Sequence, residues 1–304
     1  MFRNCDTSFV NARRVSSVYL EVDDICCSWN GLETLKRACL CGNLFIVKRV
    51  HAQGLDIDWN KYLKYACEGG HVDIVNLMID HTGQQMGTNS WNYGLRGACE
   101  GGHHEGQNRD MAELMIERGA DNWNYGLRGA CERGHRDMAE LMIERGADNW
   151  NSGLRGACEG GHLDLVNLMI AKGANCWNNG FEGACGGGHR NIALLMIDHA
   201  ERKQSGIDWR HGFFHACRGG NRDLVNLMID HAGLQRGASC WNGGLQHACL
   251  GGHLDIVMLM IERGADDWNN GLCCAREGGH RDIEMLMIGM GAHQIIDDDY
   301  NSEY

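Results

Sequence analysis

The chain has 304 residues, a formal net charge of −12 at pH 7, sixteen cysteines and no proline. This acidic balance excludes the basic surface that is typical of proteins binding nucleic acid or anionic membranes. The opening residues, MFRNCDTSFVNARRVSSVYL, contain no apolar run long enough for a signal peptide, and no later segment is long and apolar enough to span a membrane. We therefore expect neither nucleic acid nor a membrane among the partners.

A repeat marked by tryptophan dominates the sequence. One copy, residues 123–149, reads WNYGLRGACERGHRDMAELMIERGADN. The tryptophans recur every 27 to 32 residues, at Trp29, Trp59, Trp91, Trp123, Trp150, Trp177, Trp209, Trp241 and Trp268. A period in this range is typical of stacked repeat arrays. We divide the chain into an irregular N-terminal or capping segment (1–28), an array of about nine repeats (29–292) and an acidic tail (293–304).

The first copy, from Trp29, is degenerate, with Asn43 where later copies have histidine. From Trp59 onward each copy predicts two antiparallel helices joined by a turn, which reads Gly-Gly-His in most copies. The asparagines after tryptophan are predicted N-caps of the first helix, as at Asn92, Asn124 and Asn151. That helix is expected to run to about Glu100, Glu132 and Glu159 in these copies.

The first helix is predicted to bury Leu95, Ala98 and Cys99, which share one face by their spacing. The second helix carries an acidic residue in its first turn, as at Asp137, and a glycine such as Gly146 is predicted to end it. Longer copies place their extra residues in loops, where insertions are tolerated. These insertions fall within 80–90, 198–208 and 230–240, and at 104–108 in the turn of the copy from Trp91.

Eight cysteines share one repeat position: Cys39, Cys67, Cys99, Cys131, Cys158, Cys185, Cys217 and Cys249. Stacked helices place equivalent atoms roughly 8–10 Å apart. A disulfide needs Cα atoms within about 7 Å of each other. We therefore expect reduced, buried thiols and a cytosolic or nuclear compartment.

Residues 244–266, GLQHACLGGHLDIVMLMIERGAD, resemble an ankyrin repeat. The likeness lies in a leucine, the small pair before the turn, Gly-His, the Ile-Val-x-Leu run and the closing Gly-Ala-Asp, and it recurs over 29–292. The sequence lacks the family's Thr-Pro-Leu-His signature, and its short copies fall about six residues below the usual length of about 33. We therefore expect no β-hairpin fingers in the 27-residue copies, whereas the 32-residue copies have room for them.

The shortened Trp-Asn style is similar to ankyrin arrays encoded by giant DNA viruses of amoebae. The resemblance implies an all-α, helical-hairpin repeat solenoid and a non-enzymatic scaffold that binds a protein, with no cofactor. It also implies a cytoplasmic location, in the host cytoplasm if the chain is viral. We expect a monomer, and a host protein is one possible partner.

Two recurring elements admit both a structural and a functional interpretation. The tryptophan column could offer an aromatic platform for bases, but we favour a stacked core column because each indole buries a large apolar area. The Cys-x-x-x-His element, as at Cys67 and His71, could suggest half a zinc site. A structural zinc site needs four ligands, and each repeat offers two at most, so we predict no metal. The inserted His103-His104-Glu105 is a slightly better candidate for a surface metal contact.

The copies differ most at three positions of the first helix, counted with the tryptophan as position 1: positions 3, 6 and 10. We predict that they form an outward stripe, on the helix that lines the concave surface in ankyrin-like arrays. A solvated face with Arg–Glu pairs explains the charged members but not the apolar ones, and aromatic residues and arginine are typical interface anchors. The predicted binding residues are Tyr93, Arg96, Glu100, Tyr125, Arg128, Glu132, Arg155, Phe214, Arg218 and Leu250.

The predicted function is a scaffold that binds a protein through this stripe. One alternative is a viral adaptor that recruits host proteins to a ubiquitin ligase; neither 1–28 nor the tail looks long enough for the ligase-binding module it needs. A structural virion protein is another. No catalytic constellation stands out, because every catalytic-looking residue recurs along the array, and turnover traceable to a single histidine would be needed to favour an enzyme.

Overall fold

The computed structural model of the protein describes residues 29–52, 57–82, 87–101, 107–231 and 238–293. The predicted N-terminal segment 1–28 and the tail after 293 lie outside these residues. The chain divides into two compact units, Met1–Asp148 and Asn149–Tyr304, which are described in turn as the N-terminal and the C-terminal unit. All regular secondary structure in the described ranges is helical.

The described part of the N-terminal unit contains four helix pairs, each made of a first and a second helix of one repeat. The helices are α1 (Trp29–Cys41), α2 (Leu44–Ala52), α3 (Trp59–Glu68), α4 (Val72–Thr82), α5 (Thr88–Glu100), α6 (Gln107–Glu117), α7 (Trp123–Arg133) and α8 (Arg136–Glu144). The first helices α1, α3, α5 and α7 stack in this order, and each second helix packs against the first helix of its own pair.

The C-terminal unit continues the pattern with five pairs in its described residues. They are α9 (Trp150–Gly160), α10 (Leu163–Lys172), α11 (Trp177–Gly187), α12 (Arg190–Arg202), α13 (Trp209–Gly219), α14 (Arg222–His231), α15 (Ala238–Gly251), α16 (Leu254–Glu262), α17 (Trp268–Gly278) and α18 (Arg281–Gly289). Here too the first helices stack in chain order beside their second helices. The predicted fold class, an all-α repeat solenoid of helical hairpins, is confirmed.

The core of each hairpin follows the predicted spacing. Leu95, Ala98 and Cys99 are fully buried, and the residues at these positions in the other described repeats are buried as well, except for the exposed Arg276 in the copy from Trp268. Position 4 of most first helices is glycine, because a methionine of the second helix lies over it. A Cβ on Gly94 would stand 2.5 Å from Sδ of Met115, so a larger residue there would require the Met115 side chain to move.

Consecutive first helices approach each other closely through a second set of glycines. A Cβ on Gly97 would overlap the backbone carbonyl of Lys64 one repeat earlier, and Gly219 lies against the backbone of Gly186 in the same way. This approach brings the position 6 and position 10 side chains of adjacent repeats within contact distance. The glycines therefore determine which residues of the stripe can meet.

The asparagine N-caps lie two residues before the predicted positions. The residue before tryptophan is the N-cap: Oδ1 of Asn122 accepts a hydrogen bond from Tyr125 N, and Oδ1 of Asn149 accepts one from Ser152 N, both at 3.1 Å. The prediction of Asn124 as an N-cap is therefore wrong. Its equivalents Asn92 and Asn151 are likewise inside helices, because those helices begin at the tryptophan or before it.

The asparagine after tryptophan instead closes the hairpin. Oδ1 of Asn242 accepts hydrogen bonds from the backbone N–H groups of Asp266 (2.8 Å) and Asp267 (3.1 Å), and its Nδ2 donates to Oδ1 of Asp266 (3.0 Å). Asn124 bonds to Asp148 in the same manner. The side chain thus ties the start of the first helix to the loop that follows the second helix of the same repeat.

The second helices end as predicted. Gly146, after the end of α8, adopts φ +108°, a left-handed conformation that glycine accommodates without a Cβ clash. The backbone N–H of Ala147 then donates to Met142 O at 2.9 Å. In the long copy over 198–208 the extra residues lengthen α12 to Arg202, and that segment contains a turn but no strand. After the insertions within 80–90 and 230–240, the next first helices, α5 and α15, begin before their tryptophans.

Two of the turn histidines form hydrogen bonds with the backbone of the preceding repeat. Nε2 of His71 lies 3.0 Å from Leu40 O, and Nε2 of His253 lies 2.9 Å from Arg218 O. The imidazole of His253 covers the turn glycine of the preceding repeat, Gly220, and leaves no space for a Cβ there. Each such histidine therefore joins two neighbouring hairpins.

The eight repeat cysteines are buried, and no described cysteine forms a disulfide. Burial raises the pKa of Cys39 and of Cys249 to about 12, so both thiols are protonated at neutral pH. Sγ of Cys67 lies 3.8 Å from Sδ of Met115, a contact between neighbouring repeats. Among the described helices, none has the length and apolar character needed to cross a membrane.

The tryptophan column is mainly a packing feature. Trp59, Trp91, Trp177 and Trp241 are 6–7% exposed, whereas Trp123, Trp150, Trp209 and Trp268 are half-buried. Trp177 stacks on His199 at the end of its own second helix, with 4.7 Å between ring centroids. Trp241 meets Phe213 of the preceding repeat edge-on at 6.0 Å. The structural interpretation holds for the buried indoles.

Candidate binding surface on the first helices

The predicted stripe residues fall into two groups, one in each compact unit. In the N-terminal unit the most exposed of them is Tyr93, at 48%. Its ring meets that of Tyr125 edge to face, with centroids 5.8 Å apart. The guanidinium of Arg96 lies 4.5 Å from the Tyr125 ring centroid. Both tyrosines, with Asn89, Asn92 and Asn122, line a shallow depression of about 320 Å³.

Glu100 lies at the centre of a charge network between the first helices of this unit. Nζ of Lys64, one repeat earlier, is 2.7 Å from its carboxylate, and Arg96 of its own helix also pairs with it. Arg96 extends the network to Glu132 of the next repeat at 3.3 Å. The Glu100 side chain is only 2% exposed, so the prediction that it faces outward is wrong. The close approach of the helices at Gly97 leaves it no path to solvent.

Burial and charge act against each other in this network. Burial lowers the pKa of Arg96, but the neighbouring Glu100 and Tyr125 outweigh that effect and raise it. The pKa of Glu68 is raised, first by burial and second by the nearby charge of Glu100. Arg128 and Glu132 are half-buried. Most charged members of this group therefore bind one another, and Tyr93 is the side chain that is most available to a partner.

In the C-terminal unit the stripe contains a depression of about 320 Å³. Its lining comes from three consecutive first helices: Arg155 and Glu159 of α9, Glu182, Gly183 and Gly186 of α11, and His215, Arg218 and Gly219 of α13. Of these residues, Arg155 and Arg218 were predicted to bind a partner. The glycines form part of the floor because α11 and α13 lie in close contact there.

Glu182 is the carboxylate at which the basic side chains of this depression meet. Nη1 of Arg155 and Nε2 of His215 each lie 3.7 Å from its Oε2, and Nδ1 of His211 lies 3.8 Å from its Oε1. His211 is closer to Asp208, at 3.1 Å. Nε of Arg155 is buried and has no hydrogen-bond acceptor among the described residues.

Two histidines of the same surface resist protonation. The pKa of His215 is lowered, mainly by burial and further by Arg155 and Arg218, while Glu182 and Glu159 act in the opposite direction. The pKa of His247 is lowered by burial, then by His215, Arg218 and His211. Both imidazoles are therefore neutral at pH 7, and both would gain protons more readily if negative charge were added nearby.

Phe214 and Leu250, the apolar members of the stripe, are half-buried. The Phe214 ring stacks on His247 with 5.0 Å between centroids, and Arg210 lies 5.4 Å from the Phe214 centroid on the same helix. A Cβ on Gly243 would touch the Phe214 ring at 2.6 Å, so the ring lies against the next repeat. Phe214 thus contributes to repeat packing as well as to the surface.

Sequence reasoning missed His215 and His247 as members of this surface. Both stand at position 7, which is glycine in most other copies and was not part of the predicted stripe. Glu182 and His211 occupy stripe positions but were not among the predicted binding residues. A comparison of the copies at position 7 would have marked the histidines as exceptions.

No group of three or more histidine, cysteine, aspartate or glutamate side chains in the described ranges is arranged to hold a metal ion. The inserted His103-His104-Glu105 lies outside those ranges. Comparison with known proteins gives no match: no protein-family model fits the sequence, and no curated protein is significantly similar to it.

Proposed function

We propose that the protein is a non-enzymatic scaffold of ankyrin-like repeats that binds a protein partner through the first-helix surface. One observation supports this most directly. Within each unit a depression on that surface is lined in part by residues at positions 3, 6, 7 and 10, which vary along the array, whereas the core positions, such as those of Leu95, Ala98 and Cys99, change little. Tyrosine and arginine at the variable positions are residue types that often dominate binding energies, so recognition is a physical reason for the differences there.

The chemistry of the two depressions suits a protein partner. The N-terminal one offers tyrosines beside asparagine amides, and the C-terminal one offers arginine, histidine and glutamate over a glycine floor. Tyrosine and arginine are enriched among the residues that dominate binding energies at protein interfaces. The Gly-Gly pairs lie in turns between helices, so they do not resemble a nucleotide-binding loop, which follows a strand.

Affinity capture from a host lysate tests the proposal. We expect a Tyr93→Ala/Tyr125→Ala variant, or a Phe214→Ala variant, to lose preys that the wild-type chain retains. Leu163→Ala is the matched control, because Leu163 is 51% exposed on a second helix and lies away from the stripe. Circular dichroism would check that each variant is folded. Prey lists identical to the wild type for both stripe variants would remove the stripe from consideration.

The viral origin, the cytoplasmic location and the monomeric state belong to the same proposal. The adaptor hypothesis predicts ubiquitin-ligase subunits among the preys, and the virion hypothesis predicts that the chain co-purifies with particles rather than with host proteins.

A further inference from the structure

The depression in the C-terminal unit exists because one repeat lacks a side chain. Gly186 stands at position 10 of its first helix, where Glu100, Glu132 and Glu159 stand in the three preceding copies. A Cβ on Gly186 would have only His215 as a neighbour, at 3.7 Å or more, which is ordinary van der Waals contact. The space above Gly186 can therefore accept a larger group without rearrangement.

The N-terminal unit shows what normally fills this space. There the carboxylate at position 10 binds the cation at position 6 of the preceding repeat: Lys64 with Glu100 at 2.7 Å, and Arg96 with Glu132 at 3.3 Å. By the same rule Arg155, at position 6, would pair with a carboxylate at position 10 of the next repeat. That position is Gly186, so the expected carboxylate is missing.

The cations of the depression show the consequence of that missing group. Arg155 reaches only Glu182, at 3.7 Å, and its buried Nε has no acceptor among the described residues. The guanidinium of Arg218 forms no ion pair with any described residue and is exposed. Two guanidinium groups with unused donors thus border one cavity, and guanidinium groups bind carboxylates through paired hydrogen bonds.

We propose that the depression over Gly186 binds the carboxylate of an acidic side chain of the partner protein, held by Arg155 and Arg218. This inference rests on the proposed scaffold function and specifies the chemistry of one of its contacts. The bound carboxylate takes the place that Glu100 and Glu132 occupy within the N-terminal unit. For Lys64 and Arg96 the chain supplies this carboxylate itself; for Arg155 the partner supplies it.

A bound carboxylate also acts on His215. Nδ1 of His215 is the atom nearest to a Cβ placed on Gly186, at 3.7 Å. Negative charge brought into that space favours the protonated imidazole. The groups that face His215 are Arg155 and Glu159 of α9, Glu182 of α11, Arg218 of its own helix and His247 of α15. Binding is therefore coupled to protonation of His215.

The test uses a labelled peptide of four glutamates and a matched peptide of four glutamines, with binding followed by fluorescence anisotropy at pH 6.5 and low salt. We expect the glutamate peptide to bind the wild-type protein at least tenfold more tightly. The net charge of −12 opposes an acidic peptide over the whole chain, so such a preference reports a local site. Equal affinities for the two peptides would overturn the inference, whereas the capture experiment would still test the scaffold proposal.

Gly186→Glu and Gly186→Ala form a matched pair, since both add a Cβ at a tolerant helical site and both raise helix propensity. Only Gly186→Glu returns a carboxylate to the cavity. We expect it to weaken binding of the glutamate peptide at least tenfold, with Gly186→Ala close to wild type. Arg218→Gln, at an exposed position, should also weaken binding. Equal affinities in the two Gly186 variants, or no effect of Arg218→Gln, would contradict the proposed contacts.

The proton coupling has its own readout. Between pH 6 and pH 7.5 the glutamate peptide stays ionised, so a change in its affinity reports the protein. We expect the affinity of the wild-type chain to fall as the pH rises, and the affinity of His215→Gln to vary less. A wild-type affinity that is constant over this range would exclude His215 as the proton acceptor.

Discussion

The role of a stripe residue depends on whether neighbouring side chains of opposite charge form ion pairs with it. Glu100 is buried and forms ion pairs with two cations, Lys64 and Arg96. The same position is empty at Gly186, where the cations remain available. On our proposal, the same repeat position therefore serves stability at Glu100 and recognition at Gly186.

We expect Glu100→Ala to lower the free energy of unfolding by about 3 kcal/mol, because removing one partner of a buried ion pair leaves uncompensated charge. The estimate lies at the lower end of the usual range since Lys64 and Arg96 keep some contact with solvent. Urea denaturation measures the change.

Glu140→Ala is the control, because the Arg136–Glu140 pair is about half exposed and such pairs contribute less than about 1 kcal/mol. A Glu100→Ala cost as small as that of the control would show that the network does not stabilise the unit.

The histidines of the C-terminal depression predict a loss of stability in mild acid. The folded pKa values of His215 and His247 lie below the ordinary value of 6.5. Their neutral forms therefore favour the folded state fully above pH 6.5, and this contribution is lost as the pH falls through the lowered folded pKa values. We expect the urea midpoint to decrease between pH 7.5 and pH 5.5.

A His215→Gln/His247→Gln variant should show a smaller decrease over the same range. The urea midpoint of the variant will still fall somewhat with pH, because the pKa values of His51 and His189 are lowered as well. Equal slopes in the variant and the wild-type chain would show that neither imidazole is linked to folding.

At the scale of elements, local patterns predicted the hairpins well. The spacing of Leu95, Ala98 and Cys99, and the glycine that ends each second helix, depend only on neighbours in the sequence. The pattern did not predict the environment of Glu100, because that depends on how closely the next helix approaches. Gly97 determines that distance, and a glycine in a helix does not reveal from sequence alone what lies against it.

The prediction of the asparagine N-caps was wrong for a related reason. Asn122 and Asn124 both flank the tryptophan, and either can cap a helix by residue type. The structure assigns the cap to Asn122, and Asn124 bonds to Asp148. The depression over Gly186 could have been predicted in part, since the preceding copies have glutamate at that position. The sequence alone did not show that this glutamate pairs with the position 6 cation of the preceding repeat, as Glu100 does with Lys64.

Asn242→Ala tests the role of the second asparagine. It removes three hydrogen bonds to the loop after α16, two of them from backbone N–H groups. At about 1 kcal/mol each, with partial replacement by water, we expect a loss of about 2 kcal/mol. Amide hydrogen exchange at Asp266 and Asp267 should accelerate.

Asn270→Ala serves as the control, because that exposed side chain contacts only its own cap residue, Asp267, at 2.7 Å. We expect it to cost about 0.5 kcal/mol or less. Unchanged protection of the Asp266 amide in Asn242→Ala would show that the loop is held by other contacts.

At the scale of the whole chain, stability should depend on position along each stack. The principal helix packing in either unit joins a first helix to its own second helix and to the first helices beside it. In such arrays the stability is approximately a sum of repeat terms and nearest-neighbour interface terms. An internal repeat contributes to two interfaces, whereas the first helix of the repeat from Trp268, the last one in the described ranges, packs against the first helix of one neighbouring repeat.

Leu245 and Leu272 allow this to be tested with a single substitution type. Both are at position 5 of their first helices and are at most 2% exposed. At this position, Phe181 and Phe213 contact the indole of the following repeat at 5.6 Å and 6.0 Å. We expect Leu245→Ala to cost about 4 kcal/mol and Leu272→Ala about 2 kcal/mol, within the usual range for buried leucine.

Hydrogen exchange separates the two outcomes further. In Leu272→Ala the loss of protection should be confined to α17 and α18, because only the final hairpin is weakened. In Leu245→Ala it should extend to the repeats on both sides, since both interfaces lose support. Equal costs with equally local exchange would mean that each hairpin is stable by itself, and that the seams between repeats do not hold the stack together.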